Sequence, residues 1–231
     1  MIDGFDNIVI VHGAFGDRHH WKAVAKQLEQ NIGKPVYRVA LTGQGERSHL
    51  IDRSIDLSTH IQDVVNLIEF EDLEKCCLIG HSYGGVLISA VSDCLPHRIA
   101  RRIYLDAYLL NDGENFFSLH PELEADWKQR AKDSGDGWLI PPHWPNPHRD
   151  VRHPIATLVQ PVSLKNDLAS QIRSEYWLFT DGGTLEQDSL FCFYERAISR
   201  GWPVKDFKWD HNPHRNAPGE LSKELIASLS Y

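Results

Sequence analysis

The chain has 231 residues, 42% of them hydrophobic, which suits one well-buried domain and is short for two. Its formal net charge of −8, with no basic block, argues against nucleic acid or an anionic membrane surface as a partner. The opening Met1-Ile2-Asp3-Gly4-Phe5-Asp6 lacks the basic and apolar regions of a signal peptide, and no apolar run is long enough to span a bilayer, so a soluble, cytoplasmic protein is expected. Ile8–Val11 reads as a first strand and Val36–Leu41 as a second. Cys76–Ile79, Ile103–Leu105, Tyr176–Phe179 and Val204–Trp209 follow. Helical patterns lie between them at Trp21–Gln30, Ser58–Glu69, Tyr83–Cys94, Leu190–Ser199 and Pro218–Leu229. The second starts at a polar cap and places Ile61, Val64, Val65 and Ile68 on one face; Pro218 suits a first helical turn. Strands alternating with helices imply a parallel sheet covered on both faces.

One stretch interrupts the alternation. Residues 107–170 are too long for an ordinary connection and carry Trp127, Trp138 and Trp144 among prolines that keep the chain extended. We read this stretch as a cap over a pocket, inserted into a single domain spanning 1–231 with a core of 1–106 and 171–231. The tryptophans either line the pocket or form the cap's own small core.

The four cysteines show no zinc-type spacing, and Cys76 and Cys77 point to opposite faces of a buried strand, as small hydrophobes in a reducing compartment would. His19-His20 is too close in sequence to make a metal site alone, so no metal is expected.

The chemistry is concentrated in Gly80-His81-Ser82-Tyr83-Gly84. A strand precedes this G-x-S-x-G and a helix follows it, which is the context a nucleophile elbow requires. The serine on that sharp turn projects its hydroxyl from the end of the sheet, and acyl transfer through Ser82 is the reaction such a turn serves. A tetrahedral intermediate needs backbone N–H donors fixed at its developing charge. His12-Gly13-Ala14-Phe15, directly after the first strand, suits that loop, and the donors are assigned to the amides of Ala14 and Tyr83. Phe15 is placed with the pocket. His12 and His81 are read as packing or loop-holding residues and not as side-chain catalysts.

A general base is expected just past the last strand, where Trp209-Asp210-His211-Asn212-Pro213-His214 offers two histidines. His211 follows the strand immediately and is preferred; His214 sits nearer the last helix. The acid that orients the imidazole belongs between Ser82 and the base in chain order. Asp181, opening the turn after the fifth strand, is the first choice, Asp188 lies in or near the next helix, and Asp106, ending the fourth strand, is the alternative.

With these residues placed, the chain resembles the small α/β-hydrolases related to plant methyl-ester esterases and hydroxynitrile lyases, in their bacterial esterase-like branch. The resemblance runs nearly end to end. It rests on Val11-His12-Gly13-Ala14, Leu41-Thr42-Gly43-Gln44-Gly45-Glu46-Arg47-Ser48-His49, Gly80–Gly85, Tyr104-Leu105-Asp106-Ala107, and Asp210-His211 followed by Pro218-Gly219-Glu220-Leu221. It implies an α/β-hydrolase fold with a six-stranded, mainly parallel sheet and a small cap after the fourth strand, no cofactor, and a base at His211. The similar lyases carry Thr at the place of Gly13 and Lys at the place of Asn212, which disfavours cyanohydrin cleavage here. Relatives often carry the acid one residue beyond Asp181, at the place of Gly182.

The expected function is therefore serine-dependent hydrolysis of a small, largely neutral carboxylic ester through an acyl-enzyme, with an aromatic group as one option. A C–C lyase of the hydroxynitrile type, or a small-molecule receptor that turns over slowly or not at all, are the alternatives. The expected partner is the small-molecule ester; a homodimer is compatible with this reading.

Overall fold

In the computed structural model, which describes residues 4–134, 136–142 and 150–230, six strands form one parallel sheet in the order β2-β1-β3-β4-β7-β8. In chain order the elements are β1 (Asn7–Val11), α1 (Lys22–Ile32), β2 (Val36–Arg38), α2 (Leu57–Phe70), β3 (Cys76–His81), α3 (Gly84–Cys94) and β4 (Ile99–Leu105). Then come α4 (Pro121–Asp133), β5 (Leu139–Ile140), β6 (His153–Pro154), α5 (Ala156–Val159) and α6 (Asp167–Ser170). The chain closes with β7 (Arg173–Phe179), α7 (Phe191–Ser199), β8 (Val204–Phe207), α8 (Pro213–Asn216) and α9 (Pro218–Leu229).

The apolar strands are buried on both faces because a side chain alternates sides at every residue. Val9, Val11, Leu78, Tyr104 and Leu178 enter the core shared with α2, α3 and α7. Ile8, Ile10, Ile79, Ile103 and Phe179 enter the core shared with α1 and α9. Adjacent Cys76 and Cys77 divide the same way, one in each core, and burial pushes both thiols up to about 12. They are packing atoms and not nucleophiles.

The predicted strands and helices all form, with shifted ends. β2 stops at Arg38 and β8 at Phe207, each short of the apolar run that suggested it. α2 starts one residue before Ser58, because Asp56 is its cap: the Asp56 carboxylate accepts from Thr59 N at 2.9 Å, and Thr59 answers with its hydroxyl.

Between β4 and β7 lie α4, the antiparallel pair β5–β6 (Ile140 opposite His153), and two short helices. Phe116, Trp127, Ile140 and Leu158 of this stretch join the core of α2, α3 and α7, so it packs on that face of the sheet.

β1 and β3 are neighbours, yet β1 leads outward to β2 and β3 leads on to β4. The sheet therefore has a switch point between them. Their carboxyl ends diverge into loops on opposite faces and leave a crevice there, where ligands of open α/β sheets bind.

Candidate active site

Ser82 sits at that crevice. It follows β3 with φ +54°, the left-handed region that costs a residue with a Cβ of order 1–3 kcal/mol and persists only where neighbours enforce it. The neighbours are visible. Ser82 N donates to Leu105 O at 3.2 Å, and Ser82 O accepts from Gly85 N at 3.0 Å and Tyr108 N at 3.1 Å. The turn closes only with glycine behind it: a Cβ on Gly84 would lie 2.4 Å from Val11 O. Local sequence thus dictates the elbow, through a buried strand, a residue forced to positive φ, and a helix pressed against β1.

Asp106 ends the neighbouring strand in the same way, at φ +45°. Asp106 N donates to Trp177 O at 2.7 Å, and its Oδ1 accepts from Phe179 N at 3.0 Å. Its Oδ2 accepts from His211 Nδ1 at 2.5 Å. The carboxylate is 3% exposed while the imidazole is 42% exposed, so the carboxylate is dry and the imidazole is reachable. Burial lowers the basicity of His211, but the hydrogen bond to Asp106 and the charges of Asp106, Asp188 and Asp210 outweigh it and raise its pKa.

Asp181, the first choice from sequence, also follows its strand at positive φ, with Asp181 N donating to Trp209 O at 2.8 Å. It is exposed on the cavity wall and makes no hydrogen bond to His211; the imidazole is bonded to Asp106 instead. Asp188 lines the cavity too. Its Oδ1 accepts from Leu190 N at 2.8 Å, and burial, with the charges of Asp106 and Asp181, raises its pKa.

The two histidines after β8 separate cleanly. His214 is buried, stacked on Trp21 at 4.4 Å with parallel rings and lying 4.7 Å from His81. Burial and the neighbouring His81 drive its pKa well down. It is part of the floor, whereas His211 faces the cavity.

His12 and His81 hold main chain. His12 Nδ1 donates to Gly13 O at 2.9 Å, in the loop that carries Ala14, and His81 Nε2 donates to His211 O at 2.7 Å. Ala14 and Tyr83 are brought to the same crevice, Ala14 on the cavity wall and Tyr83 at the start of α3. The Tyr83 side chain is buried, and its hydroxyl donates to His60 Nδ1 at 3.1 Å, while His60 Nε2 donates to Thr42 O at 3.0 Å. Burial lowers the His60 pKa to about 4, so the ring is neutral at pH 7. His153 of β6 packs edge-on against Tyr83, His60 and Phe15 at 5.1, 5.8 and 5.6 Å. The sequence reading overlooked His60 and His153. His60 had a signal: it lies four residues before Val64, on the apolar face of α2.

A cavity of about 470 Å³ joins these residues, lined by Ser82, His211 and Asp106. One end is aromatic and apolar, with Phe15, Tyr108, Phe116, Leu123 and Trp127. Phe15 meets the Trp127 ring edge-on at 5.5 Å. The other end is polar: the Arg215 guanidinium donates to both Asp150 oxygens, at 2.9 and 3.2 Å, beside His20. Trp127 thus lines the cavity. Trp138 does not, and lies instead under the Arg53 guanidinium at 5.3 Å; Trp144 falls outside the described residues. Among the described residues no cluster suited to a metal ion occurs, and no helix is long and apolar enough to cross a membrane.

Comparison with known proteins places the chain in a family. Residues 8–224 match the sequence profile of the Alpha/beta hydrolase family. The chain is similar to the carbendazim hydrolyzing esterase of Nocardioides sp. (strain SG-4G), 30% identical over 96% of this chain and 98% of that one. It is also similar to putative methylesterase 14, chloroplastic, of Arabidopsis thaliana, 26% identical over 94% of this chain and 70% of that protein. Among solved structures it matches an extracellular α/β-hydrolase from a Paenibacillus species, described as sharing structural and functional homology with tobacco salicylic acid binding protein 2. There the TM-score is 0.81 and the identity 23%, over 96% of this chain and 98% of that chain.

Proposed function

Because the chain belongs to the α/β-hydrolase family, we propose that it is a carboxylesterase whose nucleophile is Ser82, whose base is His211 and whose acid is Asp106. The observation that carries this reading is the His211–Asp106 hydrogen bond, in the same cavity as a serine forced onto a left-handed elbow. Esterase relatives spanning nearly the whole chain support it.

Ser82 Oγ attacks the ester carbonyl while His211 Nε2 takes its proton. Asp106 fixes the tautomer through Nδ1 and stabilises the imidazolium as it forms. The amides of Ala14 and Tyr83 receive the oxyanion, and the Tyr83–His60–Thr42 chain keeps the second of these in place. Collapse expels the alcohol, protonated by His211. Water activated by the same ring then attacks the acyl-enzyme and releases the acid and free Ser82.

Residues 1–106 and 171–231 act as the catalytic core, and 107–170 as a cap whose Phe116, Leu123 and Trp127 wall the pocket. A cavity of about 470 Å³ with an aromatic end suits a small, largely neutral ester with an aromatic or other apolar group. Cyanohydrin cleavage is disfavoured because Gly13, where an added Cβ would lie 2.9 Å from Ser82 Cβ, brings no hydroxyl to the place where the similar lyases carry threonine. Asn212 supplies no cation.

The test is steady-state hydrolysis of p-nitrophenyl acetate and butyrate by wild type, Ser82→Ala, His211→Ala and His214→Ala, with folding matched by circular dichroism. Loss of several orders of magnitude with the first two, but not with His214→Ala, is expected. A folded wild type that turns over neither ester would refute the reading.

A further inference from the structure

His211 reaches the cavity of Ser82 from the edge of the sheet. Ser82 follows β3, whereas the segment carrying His211 leaves β8, the sheet's edge strand, three places away in the order β3-β4-β7-β8. β8 has only four residues, all partly or fully exposed. The four residues after it, Lys208 to His211, must therefore carry the imidazole over the ends of β7 and β4. Chain that crosses other strands outside the sheet has no ladder bonds to fix it, so its position depends on individual tethers.

Those tethers differ in kind. Asp210 accepts from Asn212 N at 2.7 Å and from Asn216 Nδ2 at 2.6 Å, but both partners travel with the loop. Trp209 O accepts from Asp181 N, which ties the loop to the turn after β7 and not to the nucleophile. Asp106 holds the ring of His211 but leaves its main chain free. One bond joins the base's main chain to the strand of the nucleophile: His81 Nε2 donates to His211 O at 2.7 Å, across 130 residues. His81 is the last residue of β3 and the residue before Ser82; it is 3% exposed, and its ring lies 4.6 Å from that of His211.

We infer that His81 is a positioning residue which sets the distance between His211 and Ser82 by fastening the base's carbonyl to the nucleophile's own strand. The histidine before the nucleophile thus takes no proton from substrate. With Asp106 it forms a two-point clamp, one bond on the ring and one on the main chain. This inference rests on Ser82 and His211 being nucleophile and base.

The test compares His81→Gln, whose amide nitrogen reaches about as far as imidazole Nε2, with His81→Asn and His81→Leu, which cannot reach the carbonyl. Misplacement of a reacting group by about 1 Å can cost on the order of 10²-fold. Asn and Leu should therefore lower kcat for p-nitrophenyl butyrate by that order with KM little changed, and Gln should restore most of it. Equal kcat in all three variants, or a Gln variant as slow as Leu, would overturn the assignment, because ring packing would then be the whole role. Wild-type protein with ¹⁵N-labelled imidazoles gives an answer that needs no variant: the His81 Nε2 proton should be protected from exchange and coupled to the His211 carbonyl carbon, and a freely exchanging proton sinks the idea. Labelling by a fluorophosphonate separates the two claims. If wild type and Ser82→Ala label alike, the serine reading has failed. If wild type labels and Ser82→Ala does not, while His81→Leu labels as fast as wild type, only the clamp has failed.

Discussion

His211 and Asp106 are 105 residues apart in sequence and joined by a 2.5 Å hydrogen bond from Nδ1 to Oδ2. Asp106 is pinned from two further directions, by its own amide on Trp177 and by its Oδ1 on Phe179 N. An acid so held can orient an imidazole without moving. Asp181 meets the loop of His211 through its main-chain N–H, which donates to Trp209 O.

Asp106→Asn should therefore lower kcat for p-nitrophenyl acetate by about 10³- to 10⁴-fold, the loss expected when an imidazole is held in the wrong tautomer. Its amide oxygen can still accept from Phe179 N, so the fold should persist. Asp181→Asn should stay within about threefold of wild type. Parallel kcat measurements on the two variants decide between the carboxylates.

The acid limb of the pH–rate profile should respond to Asp188. His211 must be neutral to act as base, and its pKa is raised from the ordinary 6.5, so activity is lost as pH falls through that raised pKa. Asp188 contributes to that rise by stabilising the imidazolium. Removing its charge in Asp188→Asn should move the acid limb of kcat/KM to lower pH. A limb that stays put, or moves up, would show that Asp188 does not face the base.

Stability should fall on acidification for a different reason. His12, His60, His81, His153 and His214 are buried, and their pKa values are lowered chiefly by burial from the ordinary 6.5, to about 4 for His60. Below pH 6.5 the unfolded chain binds protons that the folded one refuses, and each such histidine then costs up to about 1.4 kcal/mol per pH unit until its folded pKa is reached. His211, with the opposite shift, opposes the trend as one group against five. Thermal melts should show Tm dropping steadily from pH 7 to pH 4, and His60→Gln should make the decline shallower.

Trp127 and Trp138 should part company in specificity. Trp127 lines the apolar end of the cavity, whereas Trp138 lies beneath Arg53 outside it. Trp127→Leu should lower kcat/KM for p-nitrophenyl benzoate by about tenfold relative to the acetate, the scale on which lost apolar contact discriminates substrates. Trp138→Leu should leave the ratio unchanged. Initial rates of p-nitrophenolate release from each ester, measured separately, give the ratio.

Much of this protein was legible in its residues taken in order. The elbow at Ser82 is a local event: an apolar strand, two glycines that admit a close crossing, and an uninterrupted helix lie within the nineteen residues from Cys76 to Cys94. The parallel sheet follows from apolar strands alternating with amphipathic helices. Which of His211 and His214 faces the cavity was only partly within reach: β8 stops at Phe207, so neither residue is next after the strand, and the loop from β8 carries His211 to Asp106 while His214 stacks on Trp21. The acid was out of reach. Asp106 and Asp181 both end buried strands, both adopt φ +45°, and both precede the base, so nothing local separates them. The choice between them falls where the loop from β8 comes to rest, and that depends on strand order and on contacts between residues more than a hundred positions apart. The same holds for Trp127 against Trp138, and for His60 and His153. Their roles come from what the folded chain lays across them, because packing and hydrogen bonding act on distance in space, and sequence spacing reports that distance only within a single helix or strand.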